Sequence, residues 1–166
     1  MVRFRSTYEH NIDSKGRLAI PAKMRAAGDL GPGSELIAAV FLDNCIKLFP
    51  VGEWEKLEDD LLSLDSSDPA VREATRKVIG SSQELELDGQ ARVVLSKALL
   101  DYANLSASSL ALVVGVGSHM EVWNPETYQA SGGSRSNEDL FGLVMSNRKA
   151  SPAPLSVNLS YGPSAS

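Results

Sequence analysis

The sequence predicts an α+β protein in which two copies of a small β-rich unit pack as one body, with a helical hairpin between them. A shift of 75 residues aligns Asp13 with Asp88 and Arg17 with Arg92, and apolar positions between residues 9 and 125 follow the same offset. An internal repeat at one fixed offset indicates a structural unit used twice. Each copy alternates short apolar stretches with turn residues, as strands do, whereas the segment between the copies has apolar residues at helical spacing.

Each copy is predicted to begin with two short strands joined by a tight turn. The strands cover residues 8–12 and 17–20 in copy one, and residues 83–87 and 92–95 in copy two. An aspartate opens each turn, because its carboxylate can accept hydrogen bonds from nearby backbone N–H groups. Gly16 allows a positive φ in the first turn. We therefore assign four structural turn residues: Asp13, Gly16, Asp88 and Arg92.

A short helix and two more strands complete each copy. Pro21 opens the helix in copy one and Ser96 opens it in copy two, and both residue types are common at helix starts. The apolar strands are predicted at residues 35–42, 45–49, 110–116 and 120–123. The strand at residues 110–116 contains no charged or polar side chain, so we expect it to be buried on both faces.

Two helices are predicted between the copies. The first begins at Val51, and the second has Asp68 as its N-cap, Pro69 as its first residue and Ile79 near its end. The chain is therefore expected to divide into a first unit (1–54), a helical connector (55–82), a second unit (83–130) and a flexible tail (131–166). The tail is rich in Ser, Gly and Pro, which predicts one or two helical turns at residues 138–145 and no fixed structure from Ser146.

Composition excludes several classes of protein. The 166 residues carry a net charge of −5 and a single cysteine, Cys45, which rules out an intrachain disulfide or a thiolate metal cluster. Cys45 lies in an apolar strand and is expected to be a small buried residue. His10 and His119 lack metal-ligand spacing, and no nucleophile or phosphate-loop motif occurs. No apolar run reaches the roughly 18 residues of a membrane helix. We expect no enzyme, cofactor, metal, small-molecule substrate or membrane partner.

Positive charge is concentrated at the start of the chain. Residues 1–25 hold six basic and two acidic residues, a net of +4, whereas residues 84–102 hold two basic and four acidic residues. Lys15 and Arg17 follow the tight turn, where long cationic side chains can reach DNA, and arginine can bind two acceptors of a guanine edge. A structural ion pair with Asp13 is an equally supported role for Arg17, and the two roles are compatible.

Several segments resemble one known family. They are residues 8–25, with Asp13 and Arg17, residues 48–57, and in copy two the Asp88 to Arg92 motif with residues 102–105, 113–117 and 120–123. Across residues 4–130 the sequence resembles the MraZ family. Two departures concern copy two, where Ala91 replaces the usual glycine and Ser96 the common proline. The resemblance covers the two copies and leaves the tail unassigned.

The resemblance implies a fold and a function. The fold would be two swapped-hairpin units of the AbrB type in one body, assembled into a ring. The function would be a cytoplasmic, nucleoid-associated repressor that binds repeated boxes on double-stranded DNA before a division and cell-wall gene cluster. By position, Arg17 is the main DNA-contact residue, with Lys15 beside it and Arg3 a looser match. The acidic net charge keeps open an alternative, an oligomeric scaffold or antitoxin-like partner binder with weak DNA affinity.

Overall fold

The computed structural model describes residues 1–132 and 135–147. Its strands and helices follow the chain in two similar series. Copy one contains β1 (Thr7–Asn11), β2 (Arg17–Ala19), α1 (Ala22–Gly28), β3 (Glu35–Ala39) and β4 (Ile46–Pro50). The helices α2 (Val51–Leu62) and α3 (Pro69–Ile79) connect the copies. Copy two contains β5 (Gln83–Glu86), β6 (Arg92–Val94), α4 (Lys97–Tyr102), β7 (Leu110–Gly115) and β8 (Met120–Trp123), and α5 (Pro125–Ser131) and α6 (Asn137–Ser146) follow it. These bounds confirm the predicted elements of the two copies, with ends that differ by up to three residues.

The two copies exchange strands with each other. A six-stranded antiparallel sheet has the order β1-β7-β8-β4-β3-β5, so the first strand of each copy pairs with the third strand of the other copy. The second strands, β2 and β6, pair with each other as a separate two-stranded ribbon. This exchange confirms the α+β fold with two swapped-hairpin units packed as one body.

The main core lies between the sheet and the ribbon. It contains ribbon residues such as Leu18 and Val93, Met24 of α1 and Leu99 of α4, all at most 1% exposed. On the other face of the sheet α2 covers a smaller cluster through Trp54. Because both copies contribute to the main core, neither copy can bury its apolar residues without the other.

Strand β7 differs from its prediction. Ala111 and Val113 are fully buried, but Leu110 is 39% exposed and the other residues of that face are partly exposed. The prediction of burial on both faces was therefore wrong. The strand alternates in an antiparallel sheet, and the described residues completely cover only the face turned toward the ribbon.

The connector helices start where the sequence predicts. Asp68 caps α3, and its carboxylate accepts a hydrogen bond from the Ala70 N–H at 2.9 Å. Helix α2 begins at Val51, so it crosses the expected boundary between residues 54 and 55. None of the helices in the described residues has both the length and the apolar content needed to cross a membrane.

The segment expected to be a flexible tail contains a longer helix than predicted. Helix α6 has ten residues and begins with a capping box, in which Ser136 and Asp139 bond to each other's backbone N–H. Such reciprocal bonds satisfy two N–H groups that a helix start otherwise leaves free. Helix α6 lies in a second unit, which starts at Gly132 and is separate from the compact unit Met1–Ser131. Residues 133–134 and 148–166 of the expected tail lie outside the described residues.

Candidate nucleic-acid interface

The ribbon has one buried face and one solvent face. Leu18 pairs with Val93, and both side chains are completely buried. Because side chains alternate along a strand, the neighbouring pairs point outward: Arg17 with Val94, and Ala19 with Arg92. Val94 is 56% exposed. The solvent face therefore presents one arginine from each copy.

A network around Asp13 fixes the first turn. One carboxylate oxygen accepts hydrogen bonds from the backbone N–H groups of Lys15 at 2.9 Å and Arg17 at 2.8 Å. The other oxygen accepts a bond from the Arg17 Nε at 2.5 Å. The hydrogen bond from the Arg17 N–H is the largest cause of the lowered pKa of Asp13; burial opposes it, and the other contacts of Arg17 and Lys15 add to the lowering. Asp13 is thus held ionised and orients Arg17.

The turn of copy two repeats this network. Asp88 accepts backbone bonds from Gln90 at 2.9 Å and Arg92 at 3.0 Å, and a bond from the Arg92 Nε at 2.9 Å. The Arg92 N–H is the largest cause of the lowered pKa of Asp88, with burial opposing it. Arg92 Nη1 also lies 3.9 Å from the Asp13 carboxylate, which links the two turns electrostatically.

Two of the three guanidinium nitrogen atoms of Arg17 are available to bind a ligand. Asp13 binds only its Nε, and among the described residues Nη1 and Nη2 have no hydrogen-bond partner. The side chain is 28% exposed. The two roles considered for Arg17 are thus structurally compatible: the ion pair is formed, and the end of the fork faces solvent.

The fourth residue of each turn has a left-handed backbone conformation, which favours glycine. Gly16 has φ +76°, and a Cβ atom there would lie 2.9 Å from the Leu95 carbonyl oxygen. Ala91, at the same place in copy two, has φ +57° and is buried. The left-handed conformation is therefore kept in both turns, and copy two tolerates alanine where the sequence pattern called for glycine.

The three predicted DNA-contact residues are not all brought together. Lys15 is exposed on the turn beside Arg17. Arg3 is exposed next to Phe4, whose backbone pairs with Gly117 at the opposite end of β1 from the turn. At about 3.3 Å per residue, the extended chain separates Arg3 from the turn by up to roughly 26 Å. The ribbon surface consists of Lys15, Arg17 and Arg92, without Arg3.

Comparison with known proteins agrees with this repeated architecture. A family model described as "MraZ protein, putative antitoxin-like" matches residues 3–77 and, a second time, residues 78–140. The chain belongs to the MraZ family. The boundary between the two matches falls at residues 77–78, near the end of α3, and the two matches start 75 residues apart, as the offset in the sequence predicts.

Relatives in the MraZ family match most of the chain. A protein of Hydrogenovibrio crunogenus named "Transcriptional regulator MraZ" is 36% identical over 132 residues, which cover 79% of this chain and 86% of that one. A protein of the same name from Thermomicrobium roseum is 39% identical over 127 residues, covering 76% and 85%. Another, from Desulfitobacterium hafniense, is 37% identical over 138 residues, covering 83% and 91%.

In this MraZ family member Cys45 and His119, the other residue types that could carry chemistry, pack against their neighbours. Cys45 is completely buried, as predicted, and burial raises the pKa of its thiol to about 12. The His119 ring stacks on Phe49 with 4.6 Å between ring centroids. In the described part of the chain no cluster of three His, Cys, Asp or Glu side chains is arranged to hold a metal ion.

Sequence reasoning missed a buried ion pair in the sheet. Lys47 of β4 is 5% exposed, and its Nζ donates to Glu121 of β8 at 2.8 Å. Burial by itself raises the pKa of Glu121, but hydrogen bonds from His119, Lys47 and Trp123 outweigh it and lower the pKa to about 2. A lysine inside the apolar run 45–49 was the available signal, but its partner is 74 residues away in the sequence.

Proposed function

We propose that this MraZ family member is a sequence-specific DNA-binding transcriptional regulator. The observation that carries the proposal is the solvent face of the ribbon, where the Nη groups of Arg17 have no hydrogen-bond partner among the residues that the structure describes and lie beside the exposed Lys15. A two-stranded ribbon fits the major groove of B-DNA, and an arginine there can bind O6 and N7 of a guanine. The relatives named transcriptional regulators support the same reading.

In this proposal each residue of the turn has a different role. Arg17 reads a base edge, Asp13 orients it, and Lys15 contacts phosphate as a point charge. Arg92 lies on the same solvent face and extends the surface. Arg3 is retained as a separate contact to the DNA backbone, outside the ribbon surface.

We further propose that the protein is a repressor that binds repeated promoter boxes of a division and cell-wall gene cluster as a homo-oligomeric ring. It would act in the cytoplasm, on nucleoid DNA. Several linked ribbons would engage successive boxes, so modest contacts at each box add up to tight binding. Leu42, 89% exposed, lines an open apolar cavity of about 630 Å³ together with Leu57 and Leu61, and an exposed apolar surface of this kind supports self-association.

Binding to the DNA upstream of the protein's own gene tests the regulator proposal. Arg17→Ala should weaken specific binding about 5- to 150-fold per site, since a bidentate base contact contributes roughly 1–3 kcal/mol. Fluorescence anisotropy with a labelled duplex measures the dissociation constant. Arg17→Lys keeps the charge but loses the fork, so it should reduce discrimination against a scrambled duplex.

Arg76→Ala is the matched control, because it removes the same side chain from an exposed position on α3. Wild-type affinity in the Arg17→Ala variant would remove Arg17 from its proposed role. Light scattering at micromolar concentration tests the ring separately: a multiple of 17.8 kDa is expected, and a monomer mass contradicts the assembly.

A second function is favoured by the net charge of −5 and by the acidic, solvent-facing side of α2. In that case the protein is an oligomeric scaffold or an antitoxin-like binder of a protein partner, with weak DNA affinity. Titration with upstream DNA at two salt concentrations separates the two. The regulator binds specifically and with steep salt dependence, whereas the scaffold shows neither.

A further inference from the structure

We propose that Lys97 of copy two, together with Lys15 of copy one, binds a phosphate of the DNA backbone. This proposal rests on the DNA-binding function and adds a contact residue from the copy whose sequence shows net negative charge around its turn. The observation behind it is a cavity of about 400 Å³ next to the ribbon. Both copies line it, with Ser14 and Lys15 on one side and Lys97, Asp101 and Ser106 on the other.

The fold fixes the two sides of this cavity relative to each other. The Leu95 N–H donates a hydrogen bond to the Gly16 carbonyl at 2.8 Å, and the Ser108 N–H donates to the Asp13 carbonyl at 3.2 Å. Lys15 precedes Gly16, and Lys97 follows Leu95 by two residues. The turn of copy one and the start of α4 therefore form one unit, in which both lysines border the same cavity.

The chemistry of the lining suits a phosphate oxygen anion. Two ammonium groups supply charge, and the Ser14 and Ser106 hydroxyls can donate hydrogen bonds to the same anion. Lys97 is 86% exposed and pairs with Asp101 at 2.6 Å. Because a surface pair of this kind is weak, an approaching phosphate can displace Asp101 from Lys97.

The corresponding positions at the other end of the ribbon carry no charge. The offset of 75 residues relates Lys15 to Gln90 and Lys97 to Ala22. Lys23, one residue after Ala22, is the exposed cation nearest in sequence to that end. The two lysines thus make the ends of the repeated ribbon unequal, so the phosphate contact would also set the direction in which the ribbon lies on DNA.

Salt dependence of binding gives the test, because each phosphate contact adds about 0.9 to the slope of log affinity against log salt. Because Lys15 stays at the same phosphate, Lys97→Gln alone should reduce that slope by part of this amount. Combined with Lys15→Gln it should reduce the slope by roughly 0.9, which makes the loss of affinity between 50 and 200 mM salt about 3.5-fold smaller than in the wild type. Discrimination between upstream and scrambled DNA should stay unchanged, since a phosphate contact reads no bases.

Lys77→Gln is the matched control. Lys77 is 74% exposed and pairs with Glu73 four residues away at 2.7 Å, as Lys97 does with Asp101, but it lies on α3. Its removal should leave the slope at the wild-type value. An unchanged slope in Lys97→Gln, or a slope change equal to that of Lys77→Gln, would overturn the proposal.

Asp101→Asn tests the same contact in the opposite direction. Freed from its carboxylate partner, Lys97 should bind phosphate better and raise DNA affinity roughly 1.5- to 5-fold, the range expected for losing a surface pair. Glu73→Gln, the equivalent change at the control pair, should not raise affinity. In the double variant Asp101→Asn with Lys97→Gln the gain should disappear, and a gain that persists would contradict the role of Lys97.

Two further outcomes distinguish this proposal from the regulator function and from binding of free phosphate. If the wild type does not bind DNA, the regulator function and this contact fail together, whereas normal binding with a normal Lys97→Gln slope overturns this contact alone. If the cavity binds free phosphate and not DNA, titration with inorganic phosphate should show binding that Lys97→Gln loses, while DNA affinity is the same in phosphate and chloride buffers of equal ionic strength. That combination would overturn the assignment to the DNA backbone.

Discussion

Replacing Gly16 by alanine should destabilise the protein more than any matched change in copy two. Gly16 has φ +76°, where a residue with a Cβ is disfavoured by about 1–2 kcal/mol. The added Cβ would also lie 2.9 Å from the Leu95 carbonyl oxygen, which is backbone and cannot rotate away. We therefore expect Gly16→Ala to lower the free energy of unfolding by at least about 1.5 kcal/mol.

Ala91→Gly is the matched comparison in copy two. Glycine relieves the strain of φ +57°, which favours the variant by about 1 kcal/mol. Removing the buried methyl group lowers the free energy of unfolding by about 0.8 kcal/mol. The greater freedom of glycine in the unfolded chain lowers it by a further amount of roughly 0.4–1 kcal/mol. The two sides nearly cancel, so the expected change is within about 1 kcal/mol of zero.

Urea unfolding followed by tryptophan fluorescence measures both changes, and thermal melting gives a check. For a chain of this length, 1.5 kcal/mol corresponds to a fall in Tm of roughly 3–6 °C. Gly16→Ala should also weaken DNA binding, because the turn that carries Lys15 and Arg17 must move to relieve the contact with Leu95. Equal stabilities of the two variants would refute this reasoning about the turns.

Two further predictions concern the buried ion pair of Lys47 and Glu121. Lys47→Met should lower the free energy of unfolding by about 3 kcal/mol in urea titrations, because it leaves a buried carboxylate with only its other partners. The exposed Lys56→Met should change it by less than about 0.5 kcal/mol, and similar losses would contradict the argument. Since the pKa of Glu121 falls from 4.5 to about 2 on folding, its stabilisation is complete above pH 4.5 and is lost as pH falls toward 2. Glu121→Gln should flatten the stability profile in that range, and a profile as steep as the wild type would contradict it.

Local sequence signals were sufficient for the elements and the turns. Asp13 and Asp88 bond the backbone as an aspartate at the start of a tight turn should, and Asp68 caps α3. These interactions span two to four residues, so the chain encodes them wherever the segment lies. Strand β7 shows the limit of such signals, because an apolar run does not reveal that the described residues cover one of its faces only in part.

By itself, the sequence determined the repeat, the order of strands and helices, and a positive surface near the first turn. It also indicated that Asp13 and Arg17 can pair, since they are only four residues apart across a tight turn. Only the tertiary structure decided that β2 pairs with β6, that Lys47 meets Glu121, and that Lys15 and Lys97 border one cavity. These pairs are about 75 residues apart or more, and which distant segments meet depends on how all the apolar faces are buried together.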